Sequence, residues 1–163
     1  MTNIFKNCTV ISAMPAIGKS FYALNHPTIF RDLESSEYHW IIDENGNKQE
    51  HPNWPQNYIE AIKNLEKSGM YLAIFVSSHE LIREEMAKAG IRYANLCVEK
   101  TDEMRQELLT RCVNRKSPAK FINNYNENFY NYIDSMVNDK NAATVVQLNT
   151  QGLTQWGSWA AMR

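Results

Sequence analysis

One short stretch constrains this chain more than any other. Cys8-Thr9-Val10-Ile11-Ser12 runs directly into Ala13-Met14-Pro15-Ala16-Ile17-Gly18-Lys19-Ser20. The first five residues form a short β-branched, apolar run, which reads as a strand buried on both faces. Residues 13–20 fit the spacing G-x-x-x-x-G-K-[ST], with Ala13 where the first glycine is expected. A helix is predicted to begin near Gly18 and to run to about Asn25. Pro27 closes it, because proline disfavours helix at the residue before it.

The rest of the chain repeats that alternation. Residues 28–31 read as a second strand ending in the polar cluster Asp32-Leu33-Glu34-Ser35-Ser36. Residues 38–52 carry the turn signal Asp43-Glu44-Asn45-Gly46-Asn47 and read as an irregular insertion able to cover a substrate. Asn53-Trp54-Pro55 opens a helix in which Tyr58, Ile59, Ile62 and Leu65 recur at helical spacing, and Gly69 stops it. Residues 71–76 are apolar throughout and read as a central parallel strand. Ser77 and Glu80 have capping-box spacing, with a helix from about His79 to Lys88 and a stop at Gly90. Residues 91–98 read as another strand. Thr101-Asp102 caps a helix carrying Met104, Leu108, Leu109 and Cys112 on one side. Ser117-Pro118 restarts a helix whose Phe121, Tyr125, Phe129, Tyr132 and Met136 form a core stripe, with Asn123, Asn124 and Asn131 on the solvated face. Residues 143–148 read as a last strand. The tail with Trp156 and Trp159 reads as a short docking helix. Strands alternate with helices five times, which predicts an α/β domain with a parallel sheet and helices on both faces.

The totals bound the function classes. At 163 residues the chain suits a single domain, 1–163, with a real core. A formal net charge of -1 gives no global pull toward nucleic acid or an anionic membrane. No apolar run approaches the about 20 residues that span a bilayer, and the N-terminus lacks a long apolar signal region, so residence in the cytoplasm is the expectation. Cys8, Cys97 and Cys112 match no zinc or redox spacing and read as buried thiols of a reducing compartment. Oligomeric state is not legible.

A phosphate chain needs backbone N–H donors and a positive charge. The stretch Pro15, Ala16, Ile17, Gly18, Lys19, Ser20 and Phe21 supplies both. Lys19 is expected to reach the terminal phosphates and the Ser20 hydroxyl to ligate Mg²⁺. Gly18 admits close backbone approach, whereas Ala16 is expected to avoid a left-handed backbone. Transfer of a phosphoryl group also needs charge neutralisation. Arg111 and Arg115 lie four apart on one helix and share a face, where a lid of about 102–118 would sit. Asp32, at the end of the second strand, faces the ligand edge of a parallel sheet and is expected to bind an acceptor, act as its base or orient Mg²⁺. Glu34, Ser35 and Ser36 are expected to help hold the acceptor, with turn and cap chemistry of a polar cluster as the rival reading. Arg83 is placed to contact it, with a surface salt bridge as the rival reading. Ser77 and Ser78 read first as helix caps, and no G-x-S-x-G elbow or metal-ligand spacing is present.

Taken together, Ser12-Ala13-Met14-Pro15-Ala16-Ile17-Gly18-Lys19-Ser20, Asp32-Leu33-Glu34-Ser35-Ser36 and Val76-Ser77-Ser78-His79 resemble small phage-encoded nucleoside-monophosphate-kinase-like proteins of the adenylate kinase-like P-loop group. Their usual loop reads Ser-Ala-Phe-Pro-Gly-x-Gly-Lys-Ser, so Ala16 stands in place of a glycine. The Asp-Gly-Phe-Pro-Arg signature of adenylate kinases is absent. The resemblance implies a P-loop NTPase fold with sheet order 2-3-1-4-5, an acceptor-side insertion at about 33–52, ATP as donor with Mg²⁺, and the lid arginines at Arg111 and Arg115. It implies an ATP-dependent phosphotransferase acting on a nucleoside or deoxynucleoside monophosphate. The alternatives are a catalytically weak ATP- or nucleotide-binding phage accessory protein, which Ala16 and the absence of an acid at Ser77 favour, and an NTPase.

Overall fold

The computed structural model describes residues 3–161, with side chains described as far as Ser158. In chain order the elements are β1 (Val10–Ala13), α1 (Lys19–Asn25), β2 (Phe30–Asp32), α2 (Ser36–His39), β3 (Trp40–Ile42), β4 (Lys48–Glu50) and α3 (Gln56–Ser68). There follow β5 (Ala73–Val76), α4 (Glu80–Lys88), β6 (Tyr93–Val98), α5 (Asp102–Asn114), α6 (Ala119–Val137), β7 (Thr144–Leu148) and α7 (Thr150–Ala161). Five strands form one parallel sheet in the order β2-β5-β1-β6-β7. As numbered, this differs from the expected 2-3-1-4-5, because the two strands of a separate hairpin, β3 and β4, enter the chain between β2 and β5.

β1 lies at the centre, paired with β5 through Val10 and Ile74 and with β6 through Val10 and Tyr93. All four of its residues are buried, as a strand covered on both faces requires. Alternation along β5 sorts the core. Ile74 and Val76 pack with Tyr58, Ile59 and Ile62 of α3 and Ile82 and Met86 of α4. Phe75 turns the other way, with the Trp156 indole edge-on to it at 5.2 Å and Tyr22 of α1 against the same indole at 4.5 Å. α7 is therefore a docked element of the core, not a loose tail. Trp159 lies on that helix, but its side chain falls outside the described residues. Gly157 is required there by close approach, since a Cβ on it would lie 2.1 Å from the Tyr22 ring.

Two local expectations change. Residues 38–52 are not irregular. Trp40–Ile42 and Lys48–Glu50 pair antiparallel around a turn in which the Asp43 carboxylate accepts the Asn45 and Asn47 amides at 2.9 and 2.7 Å. The capping box of Ser77 and Glu80 does not form, because His79 holds the cap position of α4 and Glu80 is its first residue. Ser77 is kept with the strand instead: its N–H donates to Tyr58 Oη (3.1 Å), and its carbonyl accepts from Ser12 Oγ (3.1 Å). At the start of α5 the expected cap does form, with Thr101 Oγ1 accepting the Met104 amide. The aromatic stripe of α6 is core, Tyr125, Phe129 and Met136 being buried.

Tyr58 ties the ligand edge of the sheet together. Its hydroxyl donates to the Leu33 carbonyl at 2.7 Å and accepts the Ser77 N–H, joining the ends of β2 and β5. Tyr58→Phe removes one hydroxyl and leaves two buried backbone groups unpaired, so urea denaturation should show a loss of about 2 kcal/mol or more. A loss under about 0.5 kcal/mol, the level of an ordinary surface change, would show that water replaces the hydroxyl at no cost.

Candidate functional site

The loop between β1 and α1 is shaped through its carbonyl groups. Lys19 Nζ donates to the Ala13 carbonyl at 3.1 Å and Tyr125 Oη to that of Pro15 at 2.9 Å. Arg111 Nη1 donates to the Ala16 carbonyl at 3.3 Å and Trp156 Nε1 to that of Ile17 at 2.8 Å. Four acceptors are thus held by four side chains. Among the described residues, the amides of Ala16 through Phe21 donate to no protein group. That is a row of unpaired N–H groups at a helix N-terminus, the arrangement that binds anions.

Ala13 ends β1, where it pairs with Leu96, so that position needs no glycine. Ala16 departs from expectation: its φ is 64°, within the left-handed region. The four side-chain hydrogen bonds on the loop fix this shape, and Ala16 carries the Cβ strain of about 1 kcal/mol that glycine would avoid. Gly18, at φ 113°, could not be replaced without strain, and a Cβ there would meet Tyr22 Cε2 at 3.3 Å.

Lys19 and Ser20 follow in the first turn of α1. Burial lowers the Lys19 ammonium from its ordinary value, while the charges of Asp32 and Glu34 oppose the shift. An incoming polyanion would act in the same direction as those carboxylates. Ser20 Oγ donates to Asp32 Oδ2 at 2.6 Å. The pair joins a hydroxyl and a carboxylate, hard oxygen donors suited to Mg²⁺, which takes only one or two protein ligands when phosphates supply others. Among the described residues no cluster of three or more His, Cys, Asp or Glu suggests another metal site.

A cleft of about 600 Å³ opens beside the loop, bounded by Gly18 to Tyr22, Arg111, Arg115 and Thr154. Both expected lid arginines therefore meet the loop. Arg111 is also bonded to Glu107 Oε1 at 3.0 Å, and Arg115 Nε donates to Ser117 Oγ at 2.8 Å. Phe21 is largely exposed on the cleft wall. On the other side of Lys19 and Ser20 lies a small cavity of about 160 Å³, bordered by Pro15, Glu34, Ser35, His79 and Arg115. Ser35, Ser78 and His79 also border a third cavity, of about 680 Å³, with His39, Trp54, Asn124, Asn128 and Asn131. The shared residues place the three cavities side by side along the loop. Burial and the charges of Lys19, His39 and Arg83 push the His79 imidazole below its usual value, so it is neutral at physiological pH.

Several expected residues take other places. Asp32 is bonded to Ser20, where the Mg²⁺-orienting reading would have it, and it borders neither the 160 Å³ nor the 680 Å³ cavity. Ser36 starts α2 and is exposed outside these cavities. Arg83 forms a buried salt bridge with Asp139 and not a surface one, and it borders the 680 Å³ cavity. It is buried, and each of its three nitrogens is engaged: Nε with the Ser78 carbonyl, Nη1 with Asp139 Oδ2 at 2.7 Å and the Ser135 carbonyl, and Nη2 with Ser135 Oγ. Glu34, expected with Ser35 on the acceptor side, borders the smaller cavity, whereas Trp54, His39 and the asparagines of α6 border the larger one without having been expected there. The spacing of Asn124, Asn128 and Asn131 at i, i+4 and i+7 was the available signal, since it places three carboxamides on one helix face. Cys97 and Cys112 are buried thiols, the former pushed up to about 12 by burial, and neither borders these cavities.

No family model and no curated protein matches this chain.

Two experiments test this geometry. Ala16→Gly should leave stability within about 1 kcal/mol of the wild type or above it, because strain relief offsets the added freedom of the unfolded chain. Gly18→Ala should lose more than about 1 kcal/mol. The reverse order in urea denaturation would mean that the loop does not hold these backbone angles. The second concerns Asp139. Burial would raise its pKa, but hydrogen bonds from Arg83, Asn95 and Tyr93 outweigh this and hold it below the usual value. The stability contributed is whole above the unfolded carboxylate value of about 3.9 and is lost as pH falls through the lower folded value. Asp139→Asn should therefore cost about 3 kcal/mol at pH 7 by leaving Arg83 unpaired, and the gap to wild type should narrow below about pH 4. A gap constant from pH 7 to pH 3 would contradict the pairing.

Proposed function

We propose that this chain is an ATP-dependent phosphotransferase of the P-loop kinase type, with an acceptor of the nucleotide class. The observation that carries the reading is the loop whose four carbonyls are tied to side chains while six consecutive amides, Ala16 to Phe21, stay unpaired beside Lys19. Such a row suits the phosphates of a nucleoside triphosphate. The donor occupies the cleft between the loop and Arg111, with Thr154 and Tyr22 on its far wall. Lys19 holds the terminal phosphates. Ser20 ligates Mg²⁺ and Asp32, bonded to Ser20, orients it, which supplies the acid that Ser77 cannot. Arg111 and Arg115 neutralise charge that develops on the transferring group. The acceptor lies in the adjoining cavities, so that donor and acceptor both reach Lys19, which borders the cleft and the small cavity beside it.

The test is a coupled assay with Mg²⁺-ATP and a panel of nucleosides and nucleoside monophosphates. Lys19→Ala should abolish transfer and weaken ATP binding at least about tenfold, the loss of one strong charge-assisted contact. Arg111→Ala should lower kcat by about 10²-fold while ATP affinity changes less than tenfold. Phosphate release that ignores every acceptor would instead establish an NTPase. Tight ATP binding without any product would establish a nucleotide-binding protein.

A further inference from the structure

Three successive peptide units of the loop, Pro15–Ala16, Ala16–Ile17 and Ile17–Gly18, are held by their carbonyl groups. The donors are Tyr125 Oη of α6 at 2.9 Å, Arg111 Nη1 of α5 at 3.3 Å and Trp156 Nε1 of α7 at 2.8 Å. These peptide bonds are trans. In a planar trans peptide the carbonyl and the following N–H point to opposite sides. A side chain that holds the carbonyl therefore aims the next amide away from itself. Tyr125 aims the Ala16 amide in this way, Arg111 that of Ile17 and Trp156 that of Gly18. All three residues border the cleft of about 600 Å³, and among the described residues their amides donate to no protein group.

Two of these donors stand outside the site. Arg111 borders the cleft, whereas Tyr125 and Trp156 border neither it nor the 160 and 680 Å³ cavities. Both side chains are buried, and both rings are held by other rings. Tyr125 lies 5.6 Å from Phe121 and 5.4 Å from Phe129, and Trp156 lies 4.5 Å from Tyr22 and 5.2 Å from Phe75. Packing of this kind locks the rotamer and makes the polar tip a fixed point. Burial pushes the Tyr125 hydroxyl well above its ordinary value, so it keeps its proton and stays a donor. The indole N–H can only donate. The Pro15 tether also opposes strain. Ala16 has a left-handed φ of 64°, and rotation of the Pro15–Ala16 peptide would relieve its Cβ while turning its amide away.

Resting on the phosphotransferase reading, we infer that Tyr125 and Trp156 are positioning residues of the phosphate site. Each fixes one loop carbonyl so that the Ala16 and Gly18 amides face the triphosphate, and neither touches the substrate itself. Amides aimed in advance bind phosphate without first having to turn a peptide. Phosphate affinity is then set by the docking of α6 and α7, whose donors lie 110 and 139 residues from the loop. Linkage makes the effect reciprocal: undocking of α7 weakens triphosphate binding, and a bound triphosphate holds α7 in place.

The experiment measures binding of Mg²⁺-ATP and of Mg²⁺-tripolyphosphate, which has no base or ribose, by calorimetry under conditions where every variant is folded by its urea curve. Tyr125→Phe deletes one hydroxyl and should weaken both ligands about fivefold, the worth of one hydrogen bond. Trp156→Phe keeps a ring in the core, loses the N–H and should weaken both about tenfold. Ala16→Gly added to Tyr125→Phe should recover most of the loss, because glycine holds the left-handed backbone without the tether. No recovery would mean that the hydroxyl does not act through the Ala16 backbone, and Tyr125 would lose its role. Affinities within about twofold of wild type in both variants would mark the two hydrogen bonds as structural only. That result overturns the inference and leaves the phosphotransferase reading standing. Weaker ATP binding with tripolyphosphate unchanged would also overturn it, by placing the effect on the base. A wild type that binds neither ligand would overturn both.

Discussion

Four carbonyl groups, those of Ala13, Pro15, Ala16 and Ile17, govern the arrangement of the whole site. A loop between a strand and a helix has no ladder to take its polar groups, and each buried one needs a partner. Here the partners for the last three come from α6, α5 and α7, separated from the loop by 110, 95 and 139 residues. The loop is therefore not shaped by its own sequence. It takes its form when the second half of the chain docks onto β1. This accounts for a left-handed Ala16 where glycine would be easier: three long-range hydrogen bonds outweigh about 1 kcal/mol of local strain. It also gives α7 a purpose beyond burial, since Trp156 fills the core beside Phe75 with its ring and holds Ile17 with its N–H.

What the sequence made legible was what depends on local pattern. β1 and β5 are short apolar runs buried on both faces, and no other element type fits such runs between turn signals. The helices α3, α5 and α6 carry their core residues at helical spacing. The loop was found because Gly18, Lys19 and Ser20 are adjacent in the chain. Arg111 and Arg115 were found because their own spacing places them on one face, and the docking of α5 then brings them to the loop. The Ser20–Asp32 contact joins two sites that were marked separately.

What was missed depends on partners distant in sequence. Arg83 looks available on its helix, and only Ser135 of α6 and Asp139 just beyond it, with Ser78, show that four of its five N–H groups are engaged. Ser77 and Glu80 have capping spacing, yet Tyr58 and Ser12 tie Ser77 to the end of β5, and the helix starts at Glu80 behind His79. The asparagines of α6 read as a solvated face, and Asn123, Asn124 and Asn131 are exposed, but nothing in the local pattern reveals that Asn124, Asn128 and Asn131 share a cavity with α4 and Trp54. The 38–52 segment read as irregular because its strands are three residues each and exposed, so neither length nor burial marks them.

Arg111 shows how such a site can be ready without being strained. Its guanidinium lies on the Ala16 carbonyl at 3.3 Å and on Glu107 at 3.0 Å. The first partner is neutral and the contact long. A phosphate oxygen offers the same donor a charged acceptor, and charge-assisted bonds are roughly twice as strong as neutral ones. On the proposed reading, a triphosphate seated on the loop amides would draw Arg111 from the Ala16 carbonyl, which belongs to the loop itself, over a short path. The Ala16 peptide, released on its carbonyl side, still has the Pro15 and Ile17 carbonyls fixed on either side by Tyr125 and Trp156. The loop keeps its shape while the arginine changes partner, and in this reading α5 serves as both loop support and lid.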